Sequence, residues 1–219
     1  MKNRRIIMNS ILSIFLSLAM FAGAGCANDK KADGVDKSDA IQIKIVLENG
    51  KEMKGELYPN VAPKSVENFV GLIEEDFFDG TIFHRCIENF MIQGGGYDKT
   101  FYEGNFDSKE TDTIEGEFTQ NGFKNELKHT RGVLSMARTN DPNSASSQFF
   151  IMHQDSPHLD GQYAAFGAIT EGLDVVDEIA TSEMTAVDGT VTFQGEKYMQ
   201  QMTDVPVEPI VIKTIDIVK

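Results

Sequence analysis

A chain of 219 residues with 41% hydrophobic and 25% charged side chains is long enough to fold around one good-sized core. The formal net charge of −14 repels nucleic acid and anionic lipid head groups, and so excludes function classes that need a basic surface. Two cysteines, Cys26 and Cys86, exclude a disulfide framework, which a domain of this size does not need.

The N-terminal residues 1–25 predict an export signal. Lys2, Arg4 and Arg5 precede a largely apolar run over residues 6–24, which ends in small residues. A basic head, an apolar body and a small-residue exit are typical of a cleaved signal peptide. The run is also about long enough to span a bilayer, so a retained anchor is the alternative, which the small-residue exit disfavours.

Two cleavage sites fit the end of this signal. Residues 22–24, Ala-Gly-Ala, match the pattern for release after Ala24. Ala24-Gly25-Cys26 instead resembles a bacterial lipoprotein signal, in which the cysteine becomes the lipidated N-terminus. Gly23 departs from that signal, because an aliphatic residue usually stands there.

We expect the lipoprotein form, with lipid on Cys26 and a flexible tether over residues 26–40, whose polar sequence suits a linker. Residues 41–219 would then form the folded domain, held outside the cytoplasm on the bacterial cell membrane. Release as a secreted protein is the alternative.

From residue 41 onward the chain predicts short strands separated by turns. Residues 41–47 alternate between apolar and polar side chains, and Asn49-Gly50 is typical of a hairpin turn. The return strand and the later strand-like segments are 53–58, 81–87, 90–95, 132–138, 147–153, 164–169 and 208–219.

Two helices interrupt this pattern. Pro63 opens a helical segment, 63–75, in which Val66, Phe69 and Ile73 fall on one face, and 173–180 predicts a second, shorter helix. Many short strands, two helices and frequent glycine turns predict a mainly β fold, a closed antiparallel barrel capped by helices.

The segment FHRCIENFMIQGG, residues 83–95, carries the candidate chemistry. Arg85 and Gln93 lie among apolar residues, with no nucleophile and no acid–base pair beside them. Taken one by one, the apolar residues are ordinary core candidates and the arginine is an ordinary surface residue.

Four motifs in register favour a functional interpretation. FHRCIENFMIQGG, LKHTRGVLSMAR, SSQFFIM and HLDGQYAAFG resemble the cyclophilins, the cyclosporin-binding peptidyl-prolyl isomerases, in order and spacing from about Ile41 to the C-terminus. The resemblance implies an eight-stranded barrel with a helix over each end, and an active site on its outer face. It implies isomerisation of X–Pro bonds in proline-containing peptides, without cofactor or metal.

The same motifs imply roles for single residues. Arg85 resembles the catalytic arginine, and Gln93 resembles an amide that holds it. The resemblance also implies a set of substrate-binding residues, which line the proline pocket or contact the peptide backbone. They are His84, Phe90, Met91, Ala137, Arg138, Thr139, Gln148, Phe150, His158, Leu159 and Tyr163.

Three departures from the family pattern matter. His158 stands where many eukaryotic relatives carry a cyclosporin-contacting tryptophan, and Tyr163 replaces a histidine, so cyclosporin binding is expected to be weakened. The family's glycine-rich loop is replaced by an acidic, aromatic-bearing loop at 97–113, which we expect to alter access or substrate choice.

Taken together, the sequence predicts a monomeric, exported isomerase that assists the folding of unfolded exported proteins and has no nucleic-acid partner. The alternatives are a non-catalytic peptide-binding chaperone and a surface scaffold on the same fold. Two weaker site hypotheses are a phosphate loop at Gly94–Gly96 and a metal site that includes His153, Asp155, His158 and Asp160.

Overall fold

Ten strands and two α-helices are found in residues 35–109 and 111–218, which this computed structural model describes. In chain order they are β1 (Ile41–Leu47), β2 (Glu52–Leu57), α1 (Pro63–Glu74), β3 (Phe83–Ile87), β4 (Met91–Gly94), β5 (Val133–Met136), β6 (Phe149–Met152), β7 (Ala165–Glu171), α2 (Leu173–Ala180), β8 (Met184–Phe193), β9 (Glu196–Pro206) and β10 (Ile212–Ile217).

Eight of these strands form one antiparallel sheet in the order β10-β1-β2-β7-β5-β6-β4-β3. The sheet curls until its two edges meet, where Ile82 bridges Val211. The amide of Phe83 donates to the Ile210 carbonyl at 2.9 Å, and the amide of Ile212 donates to the Thr81 carbonyl at 2.8 Å. The predicted eight-stranded barrel is therefore confirmed, although its closing seam is only a short ladder.

Aromatic packing fills the barrel under α1. Phe69 of α1 lies 4.8 Å from Phe78, 5.2 Å from Phe149 and 5.1 Å from Phe166, measured between ring centroids. All four rings are buried, and their tilted and edge-on contacts are the arrangements that aromatic quadrupoles favour. The proline at the first turn of α1, Pro63, starts the helix that delivers Phe69 to this position.

A second apolar cluster lies on the other face of the same strands. Successive residues of β6 alternate, so Phe149 belongs to the barrel interior and Phe150 belongs to this outer cluster. The outer cluster also contains Met91, Met152 and Leu159. Burying a phenylalanine on each face of one strand places a hydrophobic platform outside the barrel.

The β8–β9 hairpin was not predicted from the sequence. Its two strands pair from Met184↔Pro206 to Phe193↔Glu196, separate from the main sheet. Gln194 and Gly195 form its turn with φ of 52° and 83°, the two positive values that a type I′ hairpin requires. The mostly polar strands obscured the pattern, although a glycine-containing pair between two alternating segments was the available signal.

The hairpin packs on the segment that replaces the family's glycine-rich loop. Ile82, Phe101, Phe106, Val205 and Val211 are all buried in one cluster between them, which we call the hairpin cluster. Within the described part of the predicted acidic loop, Phe101 and Phe106 are buried anchors, whereas Asp98, Glu103 and Asp107 are exposed.

The predicted signal peptide and Cys26 lie outside the described residues, as does most of the predicted tether. Among the residues that are described, no helix is both long enough and apolar enough to cross a membrane.

Candidate active site

One row of side chains crosses four neighbouring strands on the outer face of the barrel. Arg85 pairs with Gln93, Gln93 pairs with Phe150, and Phe150 pairs with Ser135. Residues that are opposite each other in an antiparallel sheet share a face, so the register places a cation, an amide and an aromatic ring side by side.

An irregularity in β3 turns Arg85 to this face. Phe83 pairs with Gly94 and Arg85 pairs with Gln93, so His84 is an extra residue without a partner position on β4. Strict alternation from the buried Phe83 would point Arg85 into the barrel. The bulge instead keeps both Phe83 and Cys86 in the core and leaves Arg85 outside.

A cavity of about 300 Å³ lies over this row, and we call it the outer pocket. It brings together nine of the predicted site residues: Arg85, Phe90, Met91, Gln93, Ala137, Arg138, Phe150, Leu159 and Tyr163. Met91, Phe150 and Leu159 are 2%, 5% and 8% exposed, so the apolar wall is fixed by packing before any ligand arrives.

A second depression, the side groove, adjoins the outer pocket. Gln93, Ala137 and Arg138 line both, and the groove adds predicted residues Thr139 and Gln148 together with Ser108, Ser144 and Ser146. The amide of Gln93 donates from Nε2 to Oε1 of Gln148 at 2.9 Å, which fixes both side chains at the boundary between the two depressions.

Two arginines face the outer pocket, and only one of them is hydrogen-bonded within the protein. The Arg138 guanidinium donates to the carbonyls of Gln162 and Thr139 at 2.8 Å and lies 4.6 Å above the Tyr163 ring. The Arg85 guanidinium has no hydrogen-bond or ion-pair partner among the described residues. Arg138 therefore shapes the wall, whereas the donors of Arg85 are available to a ligand.

A family model described as "Cyclophilin type peptidyl-prolyl cis-trans isomerase/CLD" matches residues 42–217. The chain belongs to this family. It is 48% identical over 145 residues to a peptidyl-prolyl cis-trans isomerase of Acinetobacter baylyi, covering 64% of this chain and 71% of that protein. It is 39% identical over 170 residues to the isomerase cyp18 of Streptomyces antibioticus, covering 74% of this chain and 90% of that protein.

Solved cyclophilin structures share the fold. A cyclophilin-type isomerase of Cryptosporidium parvum superposes with a TM-score of 0.62 at 29% identity, covering 82% of this chain and 98% of that one. A second structure of that protein, in the presence of the dipeptide Ala-Pro, gives a TM-score of 0.60 at 30% identity, covering 81% and 99%. The barrel and the isomerase activity predicted from the sequence are thereby supported, and the chain is an X–Pro isomerase.

A buried polar chain supports Phe150 in this cyclophilin, and sequence reasoning missed it. His129 contacts Asp160 through Nδ1 at 3.2 Å and Ser135 through Nε2 at 3.0 Å. Its ring stacks on Phe150 at 6.1 Å with an interplanar angle of 20°. The only sequence signal was the position of His129 and Asp160 inside two of the family motifs.

Ser135, His129 and Asp160 are the residue types of a Ser-His-Asp nucleophile system, but their buried environment excludes that chemistry. Ser135 is fully buried and His129 is 1% exposed, so no substrate carbonyl can reach the hydroxyl. Burial lowers the pKa of His129, while the adjoining Asp160 partly opposes that shift. The neutral imidazole is therefore a packing surface for Phe150.

His84 does not line the outer pocket, which corrects the expectation from the resemblance. Its side chain is 1% exposed, and its ring lies edge-on to Tyr97 at 4.6 Å beside the hairpin cluster. Nδ1 has no hydrogen-bond partner within residues 35–109 and 111–218. The bulge that exposes Arg85 accounts for this burial, since it turns the neighbouring side chain inward.

The last of the predicted site residues, His158, stacks on Phe90 with 5.8 Å between the ring centroids, at the rim of the outer pocket. Cys86 is buried, and burial raises the pKa of its thiol to about 12, so it is a core residue.

Two residues of the weaker metal hypothesis are paired with other side chains. His153 contacts Asp177 at 3.3 Å, and Asp160 contacts His129. In the described residues no group of three or more His, Cys, Asp or Glu could hold a metal ion.

The buried imidazole of His84 makes stability depend on pH. Burial, more than the neighbouring Arg85 charge, lowers the pKa of His84 from 6.5 to about 3. As the pH falls below about 6.5, the unfolded state takes up a proton that the folded state does not, so stability is lost. The slope contributed by this group is roughly 1.4 kcal/mol per pH unit. We predict that His84→Phe removes this dependence, measured by urea unfolding between about pH 7 and pH 5.

His158→Phe is the matched control, because it changes an exposed ring and should retain the wild-type dependence. An unchanged slope in His84→Phe would show that His84 is protonated in the folded state and would contradict the burial argument.

Proposed function

We propose that Arg85 catalyses X–Pro isomerisation by donating to the amide nitrogen as the bond twists. The observation that carries this proposal is a guanidinium with no partner among the described residues, held at the mouth of an apolar pocket. Rotation costs about 18–20 kcal/mol because it breaks amide resonance. Twisting localises a lone pair on the prolyl nitrogen, so a donor aimed there stabilises the twisted state more than either planar isomer.

The apolar wall supplies the second contribution. Phe90, Met91, Phe150 and Leu159 offer a surface for the proline ring and exclude water, whose hydrogen bonds to the carbonyl favour the planar amide. The His129 stack behind Phe150 keeps this wall in one conformation. No proton is transferred, which is why the site contains no titrating acid–base pair.

Peptide backbone binding is assigned to the boundary between the outer pocket and the side groove. The N–H groups of Ala137 and Thr139 already donate within the chain, to Gln148 and to the Ser144 hydroxyl, both at 2.9 Å. The Ala137 carbonyl and the Arg138 N–H remain as the main-chain groups that we assign to an extended peptide. The paired amides of Gln93 and Gln148 add side-chain contacts.

The substrates proposed are proline-containing segments of unfolded exported proteins, met outside the cytoplasm by a monomeric enzyme. The basic, apolar and small-residue N-terminal sequence and Cys26 support export and lipid anchoring. The structure of the Cryptosporidium relative in the presence of Ala-Pro supports a proline-containing ligand. A chaperone or scaffold without activity is the competing function, and the unpaired Arg85 argues against it.

Arg85→Ala tests the proposed mechanism. We expect kcat/KM to fall by roughly 10²–10³, about 2.7–4 kcal/mol, as for the loss of one preorganised donor. Peptide affinity should change far less, because the apolar wall is intact. Arg85→Lys should rescue little, since an ammonium group cannot reproduce the planar guanidinium. Line-shape NMR on a proline peptide gives the isomerisation rate and the affinity from one titration.

Equal losses of rate and affinity would make Arg85 a binding residue only. Full activity in Arg85→Ala would refute the mechanism and favour the chaperone function. The rate should be flat between about pH 6 and 8, because no titrating group transfers a proton.

Cys26→Ser tests the anchor. We predict that the wild-type protein fractionates with membranes through a diacylated Cys26, whose two chains suffice for stable anchoring. The variant should be released or incorrectly processed. Mass spectrometry of the mature N-terminus decides the matter, and a chain that begins at Gly25 would rule the lipid anchor out.

His158 tests the expected weakening of cyclosporin binding. The imidazole stacks on Phe90 but offers less surface than the indole expected from the family pattern, a difference of about 1–3 kcal/mol. We therefore expect inhibition roughly tenfold to a hundredfold weaker than in tryptophan-bearing relatives. His158→Trp should recover part of it in a peptide isomerisation assay. Tight inhibition of the wild type would show that the drug contacts are assigned wrongly.

A further inference from the structure

Exposed apolar side chains are concentrated at the end of the β8–β9 hairpin. Phe193, Tyr198 and Met199 are 61%, 48% and 76% exposed, and they are three of the five large hydrophobic residues exposed in the described part of the chain. We call these three residues the hairpin tip. Scattered apolar residues need no explanation, but exposed apolar residues gathered at one end of a hairpin point to a contact surface.

Strand register shows that the hairpin tip continues a buried stripe. Val191 pairs with Tyr198 and Phe193 pairs with Glu196, so Val191, Phe193 and Tyr198 share one face. Val191 and, further along that face, Met202 pack against the hairpin cluster. The stripe therefore starts in the protein interior and ends in solvent, with Met199 on the opposite face at the same end.

Hydrogen bonds join the hairpin, next to its tip, to the 97–109 segment. The carboxylate of Asp107 accepts from the Thr192 amide at 2.6 Å and from its hydroxyl at 2.8 Å. Two residues earlier in β8, the Thr190 carbonyl accepts from the Phe106 amide and the Thr190 amide donates to the Gly104 carbonyl, each at 2.9 Å. The aromatic residues at the tip are thus presented on a fixed support, which lowers the entropy cost of binding.

The same segment leads directly into the side groove. Ser108, next to Asp107, lines the groove together with Gln93 and Arg138. The following amide, of Lys109, donates to the Gly96 carbonyl at 2.8 Å, which ties this stretch to the end of β4. A chain of contacts therefore links the outer pocket, through the side groove, Ser108 and Asp107, to Thr192 beside the hairpin tip.

We propose that the hairpin tip is an accessory binding surface for the unfolded polypeptide whose proline occupies the outer pocket. The proposal rests on the isomerase function and adds to it a preference for an apolar or aromatic residue at a distance from the proline. An extended chain advances about 3.3 Å per residue, so only a residue several positions from the proline can reach past the side groove, Ser108 and Asp107 to the hairpin tip.

Continuity with the substrate site favours this occupant over the other two. A stable dimer buries about 800 Å² on each partner, more than three partly exposed side chains provide. A second copy of this chain and an anionic membrane would each also meet the repulsion of a net charge of −14.

The test compares a short substrate with longer ones. One substrate is a proline tetrapeptide, and two longer peptides carry a single phenylalanine about five positions before or after the proline. The wild type should process one long peptide with a kcat/KM about five- to tenfold above the tetrapeptide, through a lower KM. Phe193→Ser/Tyr198→Ser/Met199→Ser should abolish that gain and leave the tetrapeptide rate unchanged.

Val218→Ser is the matched control, because Val218 is 45% exposed but lies at the end of the chain, and it should retain the gain. If the melting temperature shows that the triple variant is unfolded, Phe193→Ser alone replaces it in the assay. The single variant should lose part of the gain. A wild type that is inactive on the tetrapeptide would refute the isomerase function itself. A wild type that is active on the tetrapeptide but shows no gain on the longer peptides would refute only the hairpin proposal.

Three results would overturn the accessory surface. The first is an equal kcat/KM for the three substrates in the wild type, and the second is a loss of tetrapeptide activity in a folded triple variant. The third is that the gain tracks a dimer in sedimentation velocity or binding to phosphatidylcholine vesicles, which would assign the hairpin tip to a second copy or to a membrane.

Discussion

The single extra residue in β3 is the constraint on which the site depends. A strand that leaves Phe83 in the core must point its second neighbour, Arg85, into the core as well, unless the alternation is interrupted. The bulge at His84 interrupts it, and the guanidinium emerges beside Gln93 on the outer face. Burying that charge in the barrel would cost several kcal/mol, so one backbone irregularity decides whether the cation is usable at all.

The bulge has a cost that other parts of the fold offset. His84 is turned into a closed apolar environment with an unsatisfied ring nitrogen, against Tyr97 and Phe101. A buried polar atom without a partner costs about 1–3 kcal/mol. The aromatic packing supplied by the 97–109 segment and the hairpin cluster contributes apolar burial of a similar size at the same place.

Rigidity at the site comes from two supports of different chemistry. Behind Phe150 the support is polar, since His129 is fixed between Asp160 and Ser135 and presents its ring face to the phenylalanine. Beside the side groove the support is the segment that carries Ser108, which is clamped to β8 through Asp107. The first maintains the wall for the proline ring, and the second links the substrate groove to an element outside the barrel.

The sequence by itself determined the eight barrel strands and both helices, because strand alternation and helical spacing are local signals. Most of the residues that meet in the outer pocket followed from the resemblance of four motifs to a known family. Tertiary structure decided three things that local signals do not contain. His84 is buried because β3 is out of register with β4 by one residue, and register is a relation between strands. His129 supports Phe150 because two loops distant in sequence meet behind β5 and β6. The β8–β9 hairpin forms because its apolar stripe packs against the aromatic residues of the 97–109 segment. The residue pattern within 184–206 does not identify those partners.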